Sequence, residues 1–324
     1  MDSQGLSNLS FGLAKCANLQ TFTVDLSQNI IGGFGASDLG SALAKCLNLS
    51  NLTLKFNCNS IGSQGTQAFC SQLAKFNNLS NLTLNLNENS ISDKGVSELG
   101  FSLTKCAKLQ ILTLFLEQNL IGDKGMSNLG SAFEKLTNLS TLNFYICDNK
   151  ISSLGASALF FGLSKCSNLS ILILDFGNQI GEIGASNLGA SLTNHVKLQN
   201  LIINLNQNKI NDKSVLDLAS GIANCVNISK LTLHLNNNLI GTQGASDLGV
   251  NLGKCVHLSS LTLNIKKNSI GNKGVLYLGT ELAKCTRLSF LTVNLQYKES
   301  FGLKLKGKVK KMKRLVEIII VKEY

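Results

Sequence analysis

Proline and tryptophan are absent from the 324 residues, and histidine occurs only three times. No stretch approaches the roughly 18 uncharged apolar residues of a membrane span, so a transmembrane helix is excluded. The opening Met1-Asp2-Ser3-Gln4-Gly5 has neither a basic nor an apolar segment, so no secretory signal is expected. P-loop and dinucleotide glycine patterns are missing, as are the glycine loop and catalytic loop of protein kinases. What remains is a chain rich in Asn, Leu and Gly, with 44% hydrophobic and 15% charged residues, which is too apolar for disorder.

Those residues recur on a fixed period. Asn29, Asn59, Asn89, Asn119, Asn149, Asn178, Asn208, Asn238 and Asn268 are spaced 30 apart, apart from one interval of 29 beside Gly177. Around Asn89 the unit reads Leu82-Thr83-Leu84-Asn85-Leu86-Asn87-Glu88-Asn89-Ser90-Ile91, then Gly95, Val96, Leu99, Leu103 and Cys106. Alternating leucines put three apolar side chains on one face of a strand. The later residues have helical spacing, so a helix lies back over that face. A single unit cannot bury its own core, whereas a stack can.

The motif L-x-L-x-L-x-x-N-x-I-x-x-x-G resembles that of leucine-rich repeat proteins, nearest the ribonuclease-inhibitor-like subclass with a full helix per repeat. It departs from the family core by two extra residues, so a longer strand is expected. Repeats of this extended form resemble those of ciliate proteins, where they can be joined to kinase domains. The resemblance implies an α/β solenoid: a right-handed horseshoe with a parallel sheet of about 11 strands on its concave face and helices outside. About ten repeats occupy 1–297, the first lacking its strand. Residues 298–324 form a degenerate basic capping repeat, with an eleventh strand at Leu315, Ile318 and Ile320. Without a cap before it, the first strand is expected to be an open edge able to pair two copies, and the chain to be a piece of something longer.

Equivalent residues stack into columns. The turn asparagines are expected to bond the backbones of adjacent coils. Cysteine recurs at Cys16, Cys46, Cys106, Cys166, Cys225, Cys255 and Cys285, in a column shared with Phe76, Leu136 and His195. That company marks an apolar core position, with helices too far apart for disulfides or a zinc site. Lysine precedes it at Lys15, Lys45, Lys75, Lys105, Lys135, Lys165, Lys254 and Lys284, where it complements the last helical turn. Glycine at Gly35, Gly65, Gly95, Gly125, Gly155, Gly184, Gly244 and Gly274 is expected to permit tight helix starts or positive φ. The sequons at Asn48, Asn51, Asn78, Asn81, Asn138 and Asn168 lie at strand starts, where glycans would crowd the stack. Together with reduced thiols, this favours the cytoplasm.

Between the inward leucines, side chains face the exposed side of the sheet. One outward column is mostly threonine. The second runs Asp25, Lys55, Asn85, Phe115, Tyr145, Asp175, Asn204, His234, Asn264 and Asn294. The third holds Ser27, Asn57, Asn87, Glu117, Cys147, Asn206, Asn236, Lys266 and Gln296. Phe115 and Tyr145 are the adjacent aromatics, flanked by Glu117, Asn143, Cys147 and Asp175. At about 4.8 Å between strands their rings should touch. Aromatics rimmed by acids resemble a protein-binding hot spot, and His234 adds a lone ring among asparagines. His195, His234 and His257 lie in different columns, with no nucleophile and orienting acid for any of them. The chain therefore reads as a non-enzymatic scaffold or adaptor for a protein partner, with no catalytic residues, cofactor, metal or small-molecule substrate. Two alternatives are the recognition arm of a larger signalling enzyme, and anion binding by the C-terminal cap. Residues 298–324 carry nine of the basic residues and +6 of the +11 net charge, but neither nucleic-acid nor membrane binding is the expected role.

Overall fold

A computed structural model describes residues 1–177, 180–295 and, by its backbone, 317–321. It comprises two compact units, Met1–Asn168 and Leu169–Tyr324. The first runs α1 (Ser3–Leu13), β1 (Thr21–Asp25), α2 (Gly32–Leu43), β2 (Asn51–Lys55), α3 (Gly62–Leu73), β3 (Asn81–Asn85), α4 (Asp93–Leu103), β4 (Ile111–Phe115), α5 (Asp123–Phe133), β5 (Thr141–Tyr145) and α6 (Ser153–Leu163). The second runs β6 (Ile171–Asp175), α7 (Gly181–Leu192), β7 (Asn200–Asn204), α8 (Asp212–Ala223), β8 (Lys230–His234), α9 (Thr242–Leu252), β9 (Ser260–Asn264), α10 (Gly271–Leu282), β10 (Phe290–Asn294) and β11 (Glu317–Val321). Within each unit successive strands pair in parallel, one repeat out of step: Leu52 faces Leu82, Leu82 faces Leu112, and Leu231 faces Leu261. The sequence-expected eleventh strand is present, with Ile318 opposite Leu291 and Ile320 opposite Val293. Each unit is an α/β leucine-rich-repeat solenoid.

Alternation within each strand decides which side chains are buried. Leu82 and Leu84 are sealed from solvent, as is Leu86 just past the strand, while Asn81, Thr83 and Asn85 lie on the other face. From the helix, Val96, Leu99 and Leu103 close over them. Phenylalanines that replace leucines in this core pack against one another. Phe144 replaces an inward leucine of β5, and Phe133 replaces the leucine that ends α5. The two rings meet edge to face at 6.0 Å. Phe56 and Phe69 do the same at 5.8 Å. Truncating any fully enclosed leucine here to alanine costs about 2–5 kcal/mol.

The turn asparagines bond adjacent coils as expected. Asn89 Nδ2 donates to Phe56 O (2.9 Å) of the preceding coil and to Asn87 O (2.9 Å) of its own. Its Oδ1 accepts from the backbone N–H groups of Asn59 (3.2 Å) and Ile61 (3.1 Å). Asn119 and Asn238 repeat the pattern. Asn178 and residues 298–316 and 322–324 lie outside the described residues, so the expected basic cap does too, apart from the backbone of β11.

Three columns differ from expectation. The glycines at Gly35, Gly125 and their equivalents sit inside the first helical turn, not before it. Positive φ belongs to Gly32, Gly62, Gly181 and Gly271, three residues earlier in their coils. The column glycines are there because a side chain has no room: at Gly35, Gly95, Gly184 and Gly274 a Cβ would meet first the isoleucine four residues earlier, and at Gly65, Gly125, Gly155 and Gly244 the preceding coil. A Cβ on Gly125 would lie 2.6 Å from Val96 Cγ1 and 2.7 Å from Asp93 Oδ1. The lysine and cysteine columns lie beyond the helices and not in their last turns, since each helix closes two residues before its lysine, at a leucine or, in α5, at Phe133. The lysine N–H closes a tight turn instead, as from Lys45 to Ala42 O at 3.1 Å. The cysteines stay buried except Cys16. The thiols of Cys46, Cys106, Cys166, Cys225 and Cys285 lie near a carbonyl of the preceding coil, Cys166 Sγ being 3.2 Å from Phe133 O.

Candidate protein-binding face

Parallel register carries the outward columns straight across each unit. In the first, Asp25, Lys55, Asn85, Phe115 and Tyr145 are consecutive cross-strand neighbours. Phe115 and Tyr145 stack with centroids 4.5 Å apart and planes 7° from parallel, so the expected contact is made. Both rings are half-buried. Their spacing is close to that of the strands, so the pleat itself sets the stack. Glu117 lies beyond Phe115 and accepts from Asn87 Nδ2 at 2.7 Å, while Glu117 N–H donates to Asn87 Oδ1 at 2.8 Å. Asn143 donates to Thr113 Oγ1 at 2.9 Å. Cys147 is half-buried, two residues past Tyr145, and its carbonyl accepts from Gln118 N–H at 3.0 Å. Phe115, Glu117, Asn143, Tyr145 and Cys147 therefore belong to two neighbouring coils.

Asp175 and His234 lie in the second unit, in one column with Asn204 between them. Burial pushes the His234 pKa down, and the Asp175 carboxylate only partly opposes it. The ring is thus neutral at pH 7. Asn264 Nδ2 bonds His234 Nδ1, and Asn264 Oδ1 accepts from Asn294 Nδ2. His234 ends a chain of side-chain amides, a polar contact rather than a base. His195 is wholly buried, its Nδ1 3.1 Å from Ser191 O, and His257 Nδ1 accepts from Arg287 at 2.8 Å.

Asparagines of the third column carry a function that column variability does not reveal. Asn206 Oδ1 accepts the Asn236 N–H at 2.7 Å, and Asn236 Oδ1 the Lys266 N–H at 2.9 Å. With Asn87, these are backbone pins between strands. A further amide ladder lies before the strands: Asn78, Asn138 and Asn227 donate to Leu47 O, Ala107 O and Val196 O of the preceding coil at 2.8–2.9 Å. Recurrence of Asn at one repeat position is the signal that finds both. Against this background of amides the stacked pair stands out as a half-buried aromatic surface on the open face of the sheet.

Among the described residues no helix is long and apolar enough to cross a membrane. The sequence matches no protein-family model and no curated protein. Solved structures similar to the chain include one of the Rad7 and Elc1 complex from yeast, at 15% identity and a TM-score of 0.44, covering 99% of this chain and 85% of that one. An internalin from Listeria monocytogenes is similar at 16% identity and a TM-score of 0.39, covering 99% and 94%.

Proposed function

We propose that the protein is a non-catalytic interaction scaffold that holds a protein partner on the open face of its sheet, centred on Phe115 and Tyr145. We also assign its repeats to the ribonuclease-inhibitor-like subclass, because α1 to α10, the helices among the described residues, are each 11 or 12 residues long. The observation that carries the functional reading is the half-exposed stack itself. Cross-strand aromatic pairs add only about 0.2–1 kcal/mol to a sheet, while aromatic anchors dominate protein interfaces. The flanking Glu117 favours a partner presenting a basic side chain beside an apolar one.

The test is a photo-crosslinkable residue at Asn143, with the same probe on the helix side at Ser131 as a control. A discrete adduct at Asn143 that disappears in Phe115→Ala/Tyr145→Ala, with the circular dichroism melt moved by no more than a few degrees, supports the reading. Undiminished adduct in the folded double variant refutes it.

A further inference from the structure

Charge in the first unit is sorted by position. Its turns between helix end and strand hold the six column lysines plus Lys108, against one carboxylate, Glu134. The rest of the unit holds four lysines against nine carboxylates. Stacking one coil on the next converts this sequence bias into a basic edge, with one exposed lysine per coil along the side where α1 to α6 end. Large apolar side chains are exposed along the same edge: Phe11 at 69%, Leu47 at 69%, Phe101 at 57% and Phe161 at 61%. Three of the lysines lie over these rings, with Nζ 4.5 Å from the Phe11 centroid (Lys15), 4.9 Å from Phe101 (Lys105) and 5.0 Å from Phe161 (Lys165).

Helix capping accounts for a cation near each helix end. It does not account for a phenylalanine one turn before it, in a column that elsewhere holds Ser41, Ser71 and Ser131. We propose that this edge is a peripheral docking surface for an anionic phospholipid bilayer, its lysines meeting headgroup phosphates and carboxylates while Phe11, Leu47, Phe101 and Phe161 enter the interface. Side chains of this kind, cationic stems beside apolar rings, suit the headgroup boundary. Each lysine near an anionic leaflet contributes about 1 kcal/mol. Nucleic acid fits less well. The unit has no arginine for forked phosphate or base contacts. The three lysines over the phenylalanine rings also occupy faces on which bases would stack.

Two variants separate the contributions without inventing residues. Lys45→Asn/Lys75→Asn/Lys135→Asn uses the residue that the same column carries at Asn194 and Asn224, and Phe11→Ser/Phe101→Ser/Phe161→Ser uses its own column's serine. Both keep the lysines of 298–324, so that segment is an internal control. The full chain should float with phosphatidylcholine vesicles doped with phosphatidylserine and not with pure phosphatidylcholine. The lysine variant should partition about fivefold more weakly per lysine removed, and the phenylalanine variant about tenfold more weakly per ring removed. No flotation with doped vesicles, or flotation indifferent to the lysine variant, overturns the proposal. So does an unaffected phenylalanine variant whose wild type is stripped from vesicles by poly(U), which marks a general polyanion surface.

Discussion

One asparagine amide serves two coils at once because it carries donors and an acceptor on a short, planar stem. Aspartate would lack the donor, and leucine both groups, so either would leave backbone polar groups buried without partners at about 1–3 kcal/mol each. The residue before it is held at φ of 53–60° in Gln28, Cys58, Glu88, Gln118, Asp148, Gln207, Asn237 and Lys267. Such non-glycine left-handed residues cost about 1–2 kcal/mol each. The ladder of amide bonds offsets this, which is why no glycine signal marks the position. Asp25 shows the same economy at the surface. Its carboxylate accepts from the Ser27 hydroxyl at 2.5 Å, from the Ser27 N–H at 3.1 Å and from Lys55 Nζ at 3.1 Å. These, the serine hydroxyl first, hold its pKa at about 2 against an ordinary 3.8. With the folded value depressed, its contribution to stability is complete above pH 3.8 and lost as pH falls toward 2. A carboxyl-carbon NMR titration should show Asp25 ionising near 2 and returning toward 3.8 in Ser27→Ala. The exposed Lys55→Ala should move it less, and the opposite order would reassign the cause.

Between elements, the limiting quantity is how close one coil lies to the next. Asp93 at the start of α4 accepts the N–H groups of Gly122 (2.7 Å) and Gly125 (3.0 Å), so its carboxylate caps the following helix as well as heading its own. Asp123 does likewise for Ser152 and Gly155. Partial burial opposes its ionisation, but the hydrogen bonds together outweigh this and lower its pKa. Gly125 is the residue that lets the coils approach. Gly125→Ala should lower the melting temperature by an amount corresponding to about 1–3 kcal/mol of overpacking. Gly12→Ala, whose Cβ meets nothing within 4 Å, should raise it by about 0.5–1 kcal/mol. Equal effects at the two sites would show that contact with the neighbouring coil is not what selects glycine. The strands, their register, the asparagine ladder and the aromatic stack all follow from a period of 30, because a period says which residues are neighbours. It does not say how near they come. That is why the glycine column reads as a matter of φ until the coils are seen in contact, and why the Asp93 cap across coils is silent in the sequence.

At the scale of the whole molecule, a stack has no centre. Within each unit a coil meets only the ones before and after it, so the unit's stability is a sum of intrinsic and nearest-neighbour terms. Whether that sum behaves as one cooperative unit can be read from the cysteines, none of them in a disulfide, with Cys46, Cys70, Cys106 and Cys166 in different coils of the first unit. Burial pushes the Cys106 thiol up to about 11 and those of Cys166, Cys225 and Cys255 to about 12. They therefore react only when their coil opens, whereas Cys16 is exposed in the native state. Asn89→Ala removes four hydrogen bonds between Cys70 and Cys106, and should cost about 3 kcal/mol. Labelled across a denaturant series and read by peptide mass, Cys46, Cys70, Cys106 and Cys166 should move to lower midpoints together, because they share one compact unit. If Cys70 and Cys106 alone shift, the coupling between coils is weaker than the energy of a single coil. The partner-binding face would then be a set of locally opening segments, and Phe115→Ala/Tyr145→Ala would alter the protection of Cys106 and Cys166 as well as capture.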